Sequence, residues 1–212
     1  MIAGTRSAFT LANAVDASWA SIEAVAGRSY CAEVAPGVTA VDQSTPSLSA
    51  FRSDSTTGLS GPSGARTCFI SPLSETALFR TTQSDPSARP HRLAIVETTL
   101  WANWYYVGGD YSSFTILRNT TNTQLTADLQ WRNTAGTVVG TQLGLTIPAN
   151  GTVFFNARDA MSCGFPTPCA NPAGSVEIAH NGEAHALEGS QTTLSATSGL
   201  SFDTVMQRRT PQ

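Results

Sequence analysis

The feature that most limits what this chain can fold into is an apolar–polar alternation of period two, broken at short intervals by turn residues. Between Ala127 and Arg132, the apolar Ala127, Leu129 and Trp131 fall on one side of an extended chain, and Asp128, Gln130 and Arg132 on the other. Val176 and Ile178 flank Glu177 in the same way, and Phe114-Thr115-Ile116-Leu117-Arg118 alternates more loosely. Successive strand side chains point to opposite faces, so such segments form half-buried strands of antiparallel sheets with one wet face. Turn chemistry separates them: Asn133-Thr134-Ala135-Gly136, the loop Gly61-Pro62-Ser63-Gly64, and the pairs Asn150-Gly151 and Asn181-Gly182. The two Asn-Gly pairs are expected to close hairpins, because both positions tolerate positive φ. Helix is expected only at Ala157-Arg158-Asp159-Ala160-Met161 and briefly before Trp19.

The expected fold class is therefore all-β, with two antiparallel β-sandwich modules. A chain of 212 residues accommodates one large all-β domain or two domains near half its length, and the pattern is read as two. Only 13% of its residues are charged, about half the usual share. The polar surface must be built from Thr, Ser, Asn and Gln, which suit strands and turns better than helices.

All twelve basic residues are arginine. Without lysine there is no P-loop, no pyridoxal phosphate Schiff base, no Lys general base and no Lys–Asn isopeptide cross-link. A net charge of −3 leaves no electrostatic footprint for nucleic acid. No apolar run is long enough to span a membrane as a helix. The nucleophile motif G-x-S-x-G and the zinc motif H-E-x-x-H do not occur. The carboxylates Asp16, Glu23, Glu33, Asp110, Asp128 and Asp159 are scattered, whereas glycoside hydrolysis needs two that face each other. A non-catalytic protein is expected, with no cofactor and no metal; an unrecognised hydrolase is an alternative.

The four cysteines are Cys31, Cys68, Cys163 and Cys169, which allow three pairings. The economical one joins Cys31 to Cys68, each in a short strand, and Cys163 to Cys169 around Gly164-Phe165-Pro166-Thr167-Pro168. Loop-closure entropy makes the longer bridge worth roughly 4 kcal/mol and the shorter roughly 2 kcal/mol. Free thiols and a metal site are the alternatives, although no tight C-x-x-C pair is present. Disulfides imply an oxidising compartment. Met1-Ile-Ala-Gly-Thr-Arg6 lacks the apolar stretch of a signal peptide, so a secreted or cell-surface location follows from the cysteines alone.

The modules divide near 97–111, giving 1–98 and 99–212, across an aromatic-rich crossing that holds Trp101, Trp104, Tyr105 and Tyr106. Three segments, Ala26–Val34, Leu48–Asp54 and Thr76–Thr82, precede a closing strand at Pro90–Val96. In these the first module resembles the bacterial pre-peptidase C-terminal domain. That resemblance implies a jelly-roll-like sandwich on a secreted protein, many members carrying acidic loops suited to Ca²⁺; Asp42 and Asp54 are the acidic residues nearby. The second module carries Ile116–Asn122, Trp131–Val139 and Ile147–Thr152, and in these it is similar to immunoglobulin-like sandwiches of bacterial surface proteins. Such modules act as spacers, adhesive units or assembly subunits.

Trp101, Trp104, Tyr105 and Tyr106 are the candidate contacts for a partner or glycan, against the plainer reading that they pack within or between modules. His180 and His185 flank Asn181-Gly182 and could face each other across a short loop to hold a metal; the plainer reading is two solvated histidines. Asn119-Thr120-Thr121 and Asn150-Gly151-Thr152 match the glycosylation sequon. The function expected is that of a secreted or cell-surface structural or interaction protein, a subunit of an extracellular assembly. Its partners would be other protein subunits, further copies of itself, or a surface polymer. A carbohydrate-binding module is the second hypothesis.

Overall fold

The computed structural model describes residues 6–11, 17–36, 47–60, 64–82, 89–165 and 167–209. The compact units divide between Glu97 and Thr98. The aromatic-rich crossing is therefore a strand of the second unit. Among the sequence expectations, Asp16, Asp42, the Pro62-Ser63 turn, Pro166 and any helix over 12–16 lie outside the described residues.

The first unit contains β1 Arg6–Leu11, β2 Ala17–Ala24, β3 Ser29–Pro36, β4 Ser47–Phe51, β5 Gly58–Ser60, β6 Arg66–Ile70, β7 Glu75–Thr82 and β8 Arg89–Glu97. Their pairings are antiparallel. They form two four-stranded sheets ordered β1-β8-β3-β6 and β2-β7-β4-β5. The first strand lies beside the eighth and the second beside the seventh, which is the order of a double-sheet jelly roll. Alternation buries Ile22, Tyr30, Ala32, Val34, Leu48, Ala50, Phe79 and Ile95 in one apolar cluster. Cys31 and Cys68 sit directly opposite each other on β3 and β6 and are disulfide-bonded. Their neighbours Tyr30, Ala32 and Phe69 point inward, so this bridge lies on the outer face of its sheet.

The second unit contains β9 Leu100–Tyr106, β10 Tyr111–Asn119, β11 Leu125–Asn133, β12 Val138–Ile147, β13 Thr152–Asn156, the short helix α1 Ala157–Ala160, β14 Ala173–His180, β15 Leu187–Ser195, β16 Ser201–Val205 and β17 Gln207–Arg208. Its antiparallel sheets are ordered β13-β10-β15-β16 and β12-β11-β14-β9-β17. Leu125, Ala127, Leu129 and Trp131 all turn inward, with Val176 and Ile178 from β14 beside them. α1 is capped by Asn156, whose side chain accepts from the Arg158 amide.

The pairings β10–β13, β11–β14 and β11–β12 match the B–E, C–F and C–C′ pairs of an immunoglobulin sandwich. The flanks differ. β9 lies beside β14, where that sandwich places its last strand, and β15 lies beside β10, where it places its first. Side chains on the inner face hold β15 there: Ser113 and Thr193 hydroxyls bond at 2.6 Å, and the Thr115 hydroxyl donates to Gln191 Oε1 at 2.6 Å.

The turn at Asn133–Gly136 closes a true hairpin between β11 and β12, with Gly136 at φ +82°. The two Asn-Gly pairs do not. Asn150-Gly151 carries the chain from β12 to β13 and Asn181-Gly182 from β14 to β15, each pair of strands lying in different sheets. Asn150 does adopt a positive φ of 55°. Its backbone amide, however, donates to the Thr121 carbonyl, which fixes a crossover instead of a ladder.

Candidate functional site

The four aromatic candidates occupy β9, and its register decides which of them can meet a partner. Leu100 and Ala102 are buried, so Trp101 points outward. Gly174 opposes Tyr105 while Val176 opposes Ala102, so Asn103 and Trp104 together face Ser175. An extra residue of this kind is a β-bulge, which re-aims the side chains beyond it. Tyr105 consequently points into the core and is fully buried. Its hydroxyl donates to the Asn171 carbonyl at 3.4 Å, and burial pushes its pKa up to about 12. Tyr105 is thus a core residue and not a contact, which corrects the sequence expectation.

Trp101, Trp104 and Tyr106 remain on the outward side. The Trp104 and Tyr106 rings are parallel within 7° at 6.3 Å between centroids. Tyr111 meets Tyr106 edge-on at 5.4 Å. Tyr106 lies against Gly108, where an added Cβ would stand 2.6 Å from its ring carbon Cζ. The glycine is what lets the ring lie down on the turn. Trp104 is 41% exposed.

Charged residues border this aromatic strip. Trp101 is the cross-strand neighbour of Glu177, and Gln130 flanks Glu177 on the other side. Arg132 Nε donates to Glu177 Oε2 at 2.6 Å, its Nη2 to Gln130 at 2.9 Å, and Arg209 pairs with Glu177 Oε1. Burial pushes the Glu177 pKa up, but the Arg132 hydrogen bond and the Arg209 and Arg132 charges outweigh it and hold the pKa below its ordinary value. Neither arginine stood out in the sequence. Alternation places Arg132 on the wet face, but only the β14–β11 register brings it to Glu177.

The remaining titratable candidates serve the scaffold. Among the described residues, no cluster of His, Cys, Asp and Glu is arranged to hold a metal. His180 is fully buried, not solvated. The Gly182 amide donates to its Nδ1 at 3.2 Å, which leaves Nε2–H to donate to the Thr98 carbonyl at 3.1 Å. With both ring nitrogens engaged it has no lone pair for a metal, and burial lowers its pKa to about 4. His185 is exposed. The Asp110 carboxylate accepts from the Ser195 hydroxyl at 2.6 Å and from the Thr197 amide and hydroxyl. These bonds, led by that from Ser195, hold its pKa down to about 2. Asp54 accepts from the Thr57 hydroxyl and amide and from the Thr56 amide, which ties its own turn. Asn119 is buried and donates to the carbonyls of Thr123, Ile147 and Pro148, so it is a structural clamp and its amide is closed to a glycan.

Arg158, unmarked in the sequence, is 2% exposed. Its guanidinium donates to the carbonyls of Gly109, Tyr111 and Thr167 and to the Ser112 hydroxyl. It thereby fastens the loop closed by the Cys163–Cys169 disulfide to the turn that carries Gly108 and Tyr111.

No protein-family model matches the chain, and no curated protein matches it. Among solved structures it is similar to the tandem CBM22-1–CBM22-2 domain of Paenibacillus barcinonensis Xyn10C. That match has 7% identity and a TM-score of 0.28, over 98% of this chain and 92% of that one. A Parabacteroides distasonis protein described as secreted matches at 8% identity and a TM-score of 0.28, over 97% and 89%. The extracellular region of zebrafish Gpr126/Adgrg6 matches at 10% identity and a TM-score of 0.24, over 98% of this chain and 33% of that one. Likeness this distant carries nothing about ligand or partner.

The two disulfides are consistent with an oxidising, extracellular setting. No described helix is long and apolar enough to cross a membrane.

Proposed function

We propose that this is a non-catalytic secreted or cell-surface interaction protein. It would present the outward face of the β9 strip, with Trp101, Trp104 and Tyr106, to another protein subunit of an extracellular assembly. The observation that carries this reading is the bulge at Asn103–Trp104, which turns Trp104 and Tyr106 outward beside the Arg132–Glu177–Arg209 cluster. Aromatic and arginine side chains together make the anchors of protein interfaces. The non-catalytic part is supported by the engagement of His180, Asp110, Glu177 and Arg158 in the scaffold. The jelly-roll order of the first unit supports its kinship with pre-peptidase C-terminal domains. The central pairings of the second support an immunoglobulin-like surface module.

Sedimentation equilibrium, with the protein alone and mixed with proteins of its own extracellular fraction, tests the reading. Association is expected, and Trp104→Ala should weaken it at least tenfold. Association unchanged by Trp104→Ala, or none at any concentration, would overturn it.

The exposed Trp104 ring parallel to Tyr106 favours a second reading, a carbohydrate-binding module. A glycan array read against wild type and Trp104→Ala separates the two.

A further inference from the structure

The outer face of the β2-β7-β4-β5 sheet holds a different kind of site, assembled from residues that no local motif links. Register sets Trp19 on β2 opposite Arg80 on β7, and Arg80 opposite Ser49 on β4. Phe51 follows two residues along β4 on the same face. The guanidinium carbon of Arg80 lies 5.9 Å from the Trp19 ring centroid and 5.0 Å from that of Phe51. The two rings are 5.8 Å apart and tilted by 49°. Arg80 is therefore held by π faces and not by an acid. It makes no ion pair among the described residues, and its Nε is buried without a hydrogen-bond partner.

Beside it runs an open groove of about 620 Å³ whose described lining includes Ser49, Ser60 and Thr82 and contains no carboxylate. That volume falls within the roughly 300–1,000 Å³ of small-molecule sites. Trp19, whose ring meets that of the lining residue Phe51, stays 49% exposed, a flat apolar surface.

Three properties narrow the occupant. A guanidinium that makes no ion pair among the described residues calls for a planar anion that accepts two hydrogen bonds. The hydroxyls of Ser49 and Thr82 in the lining call for a ligand that itself carries hydroxyls. An exposed indole calls for a ligand with a flat C–H face. A lipid or an apolar peptide meets only the last. We propose that the groove binds an acidic saccharide, with a uronate carboxylate paired to Arg80, its ring against Trp19 and its hydroxyls on Ser49 and Thr82. This site stands independently of the β9 strip.

Titration calorimetry of the full chain with trigalacturonate, its carboxyl-reduced neutral counterpart and tetraglutamate tests the proposal. Trigalacturonate should bind, more weakly as salt rises, and at least tenfold tighter than the neutral trimer or the peptide. Arg80→Gln should reduce that binding at least tenfold. Trp19→Ala, at a half-exposed position, gives a second reading should Arg80→Gln fail to fold, and it should also lose at least tenfold. Trp104→Ala should leave the binding unchanged, so failure here is distinct from failure of the β9 reading. No binding of trigalacturonate, equal binding of the neutral trimer or of tetraglutamate, or full affinity in Arg80→Gln would overturn it.

Discussion

The two sandwiches are held together by different means. In the first unit the described core is mainly apolar, built from residues such as Ile22, Leu48, Phe79 and Ile95 with one part-buried hydroxyl pair, Thr67 and Ser60, beside them, and its disulfide lies on the outer face of one sheet. In the second, polar groups run through the interior. Ser113, Thr115, Gln191 and Thr193 face inward, and Arg158, His180 and Asn119 are fully buried. Its disulfide is partly inside, Cys169 belonging to the core cluster. An apolar core tolerates substitution as long as volume is kept. A buried polar network specifies one arrangement but fails abruptly when a member is removed. The first unit is thus built for tolerance and the second for positional accuracy around the strand that carries its exposed aromatics.

Calorimetry should resolve this contrast as two transitions that respond to different insults. The largest effect belongs to Arg158→Met, which orphans the carbonyls of Gly109, Tyr111 and Thr167. It should destabilise the second unit by about 5 kcal/mol and leave the first transition in place. A shift of both transitions would erase the contrast. Disulfide reduction should act the other way round. The bridge spanning 37 residues contributes about 4 kcal/mol to the first unit and that spanning 6 about 2 kcal/mol to the second, so reductant should lower the first transition more.

Acid should single out the second unit. The folded His180 pKa is about 4, against about 6.5 for an unfolded histidine. As pH falls below the higher value the unfolded chain takes up a proton that the folded one refuses, so stability declines until the lower value is reached. The loss approaches about 3 kcal/mol, and His180→Gln should flatten this segment of the profile. The Asp110 contribution has the opposite origin. It is complete above the unfolded carboxylate pKa and disappears as pH falls toward about 2, so a further decline should follow at lower pH.

Smaller effects sharpen the picture at the β9 strip. Gly108→Ala should cost about 1 kcal/mol, because the half-buried Tyr106 ring must swing off the turn. Trp104→Ala should change stability by less than about 0.5 kcal/mol, since its ring is there to be met and not to be packed.

Alternation made much of the scaffold legible: Ala127, Leu129 and Trp131 inward and Arg132 outward, with the short helical turn at Ala157 read beside it. It gave Tyr105 no facing and left it among the candidate contacts, because nothing in Trp-Ala-Asn-Trp-Tyr-Tyr announces the bulge that inserts one residue and turns its side chain inward. It misread both Asn-Gly pairs, because positive φ at Asn150 serves a crossover as well as a hairpin. Which role it takes depends on the partner of its amide, Thr121, far away in sequence. It passed over Arg80 and Arg158 entirely. The neighbours of each arrive from separate strands or loops, so their sites exist only in the register and not in any spacing along the chain.

The pairing of β17 with β9 has one more consequence. Arg208 lies opposite Leu100 and Gln207 opposite Trp101, and the Arg209 amide reaches the Thr99 carbonyl at 3.0 Å. Chain therefore enters and leaves the second unit at adjacent points, along antiparallel strands. Tension applied through those two ends would load the ladder bonds one after another, as in a zipper, instead of all together in shear. Single-molecule pulling should record a low first yield that frees β17 and bares the edge of β9 while the rest of the sandwich stays folded. A single high-force rupture would show that the ends are locked by something stronger than this short ladder. Under load, then, the strip of outward aromatics would gain an open strand edge beside it.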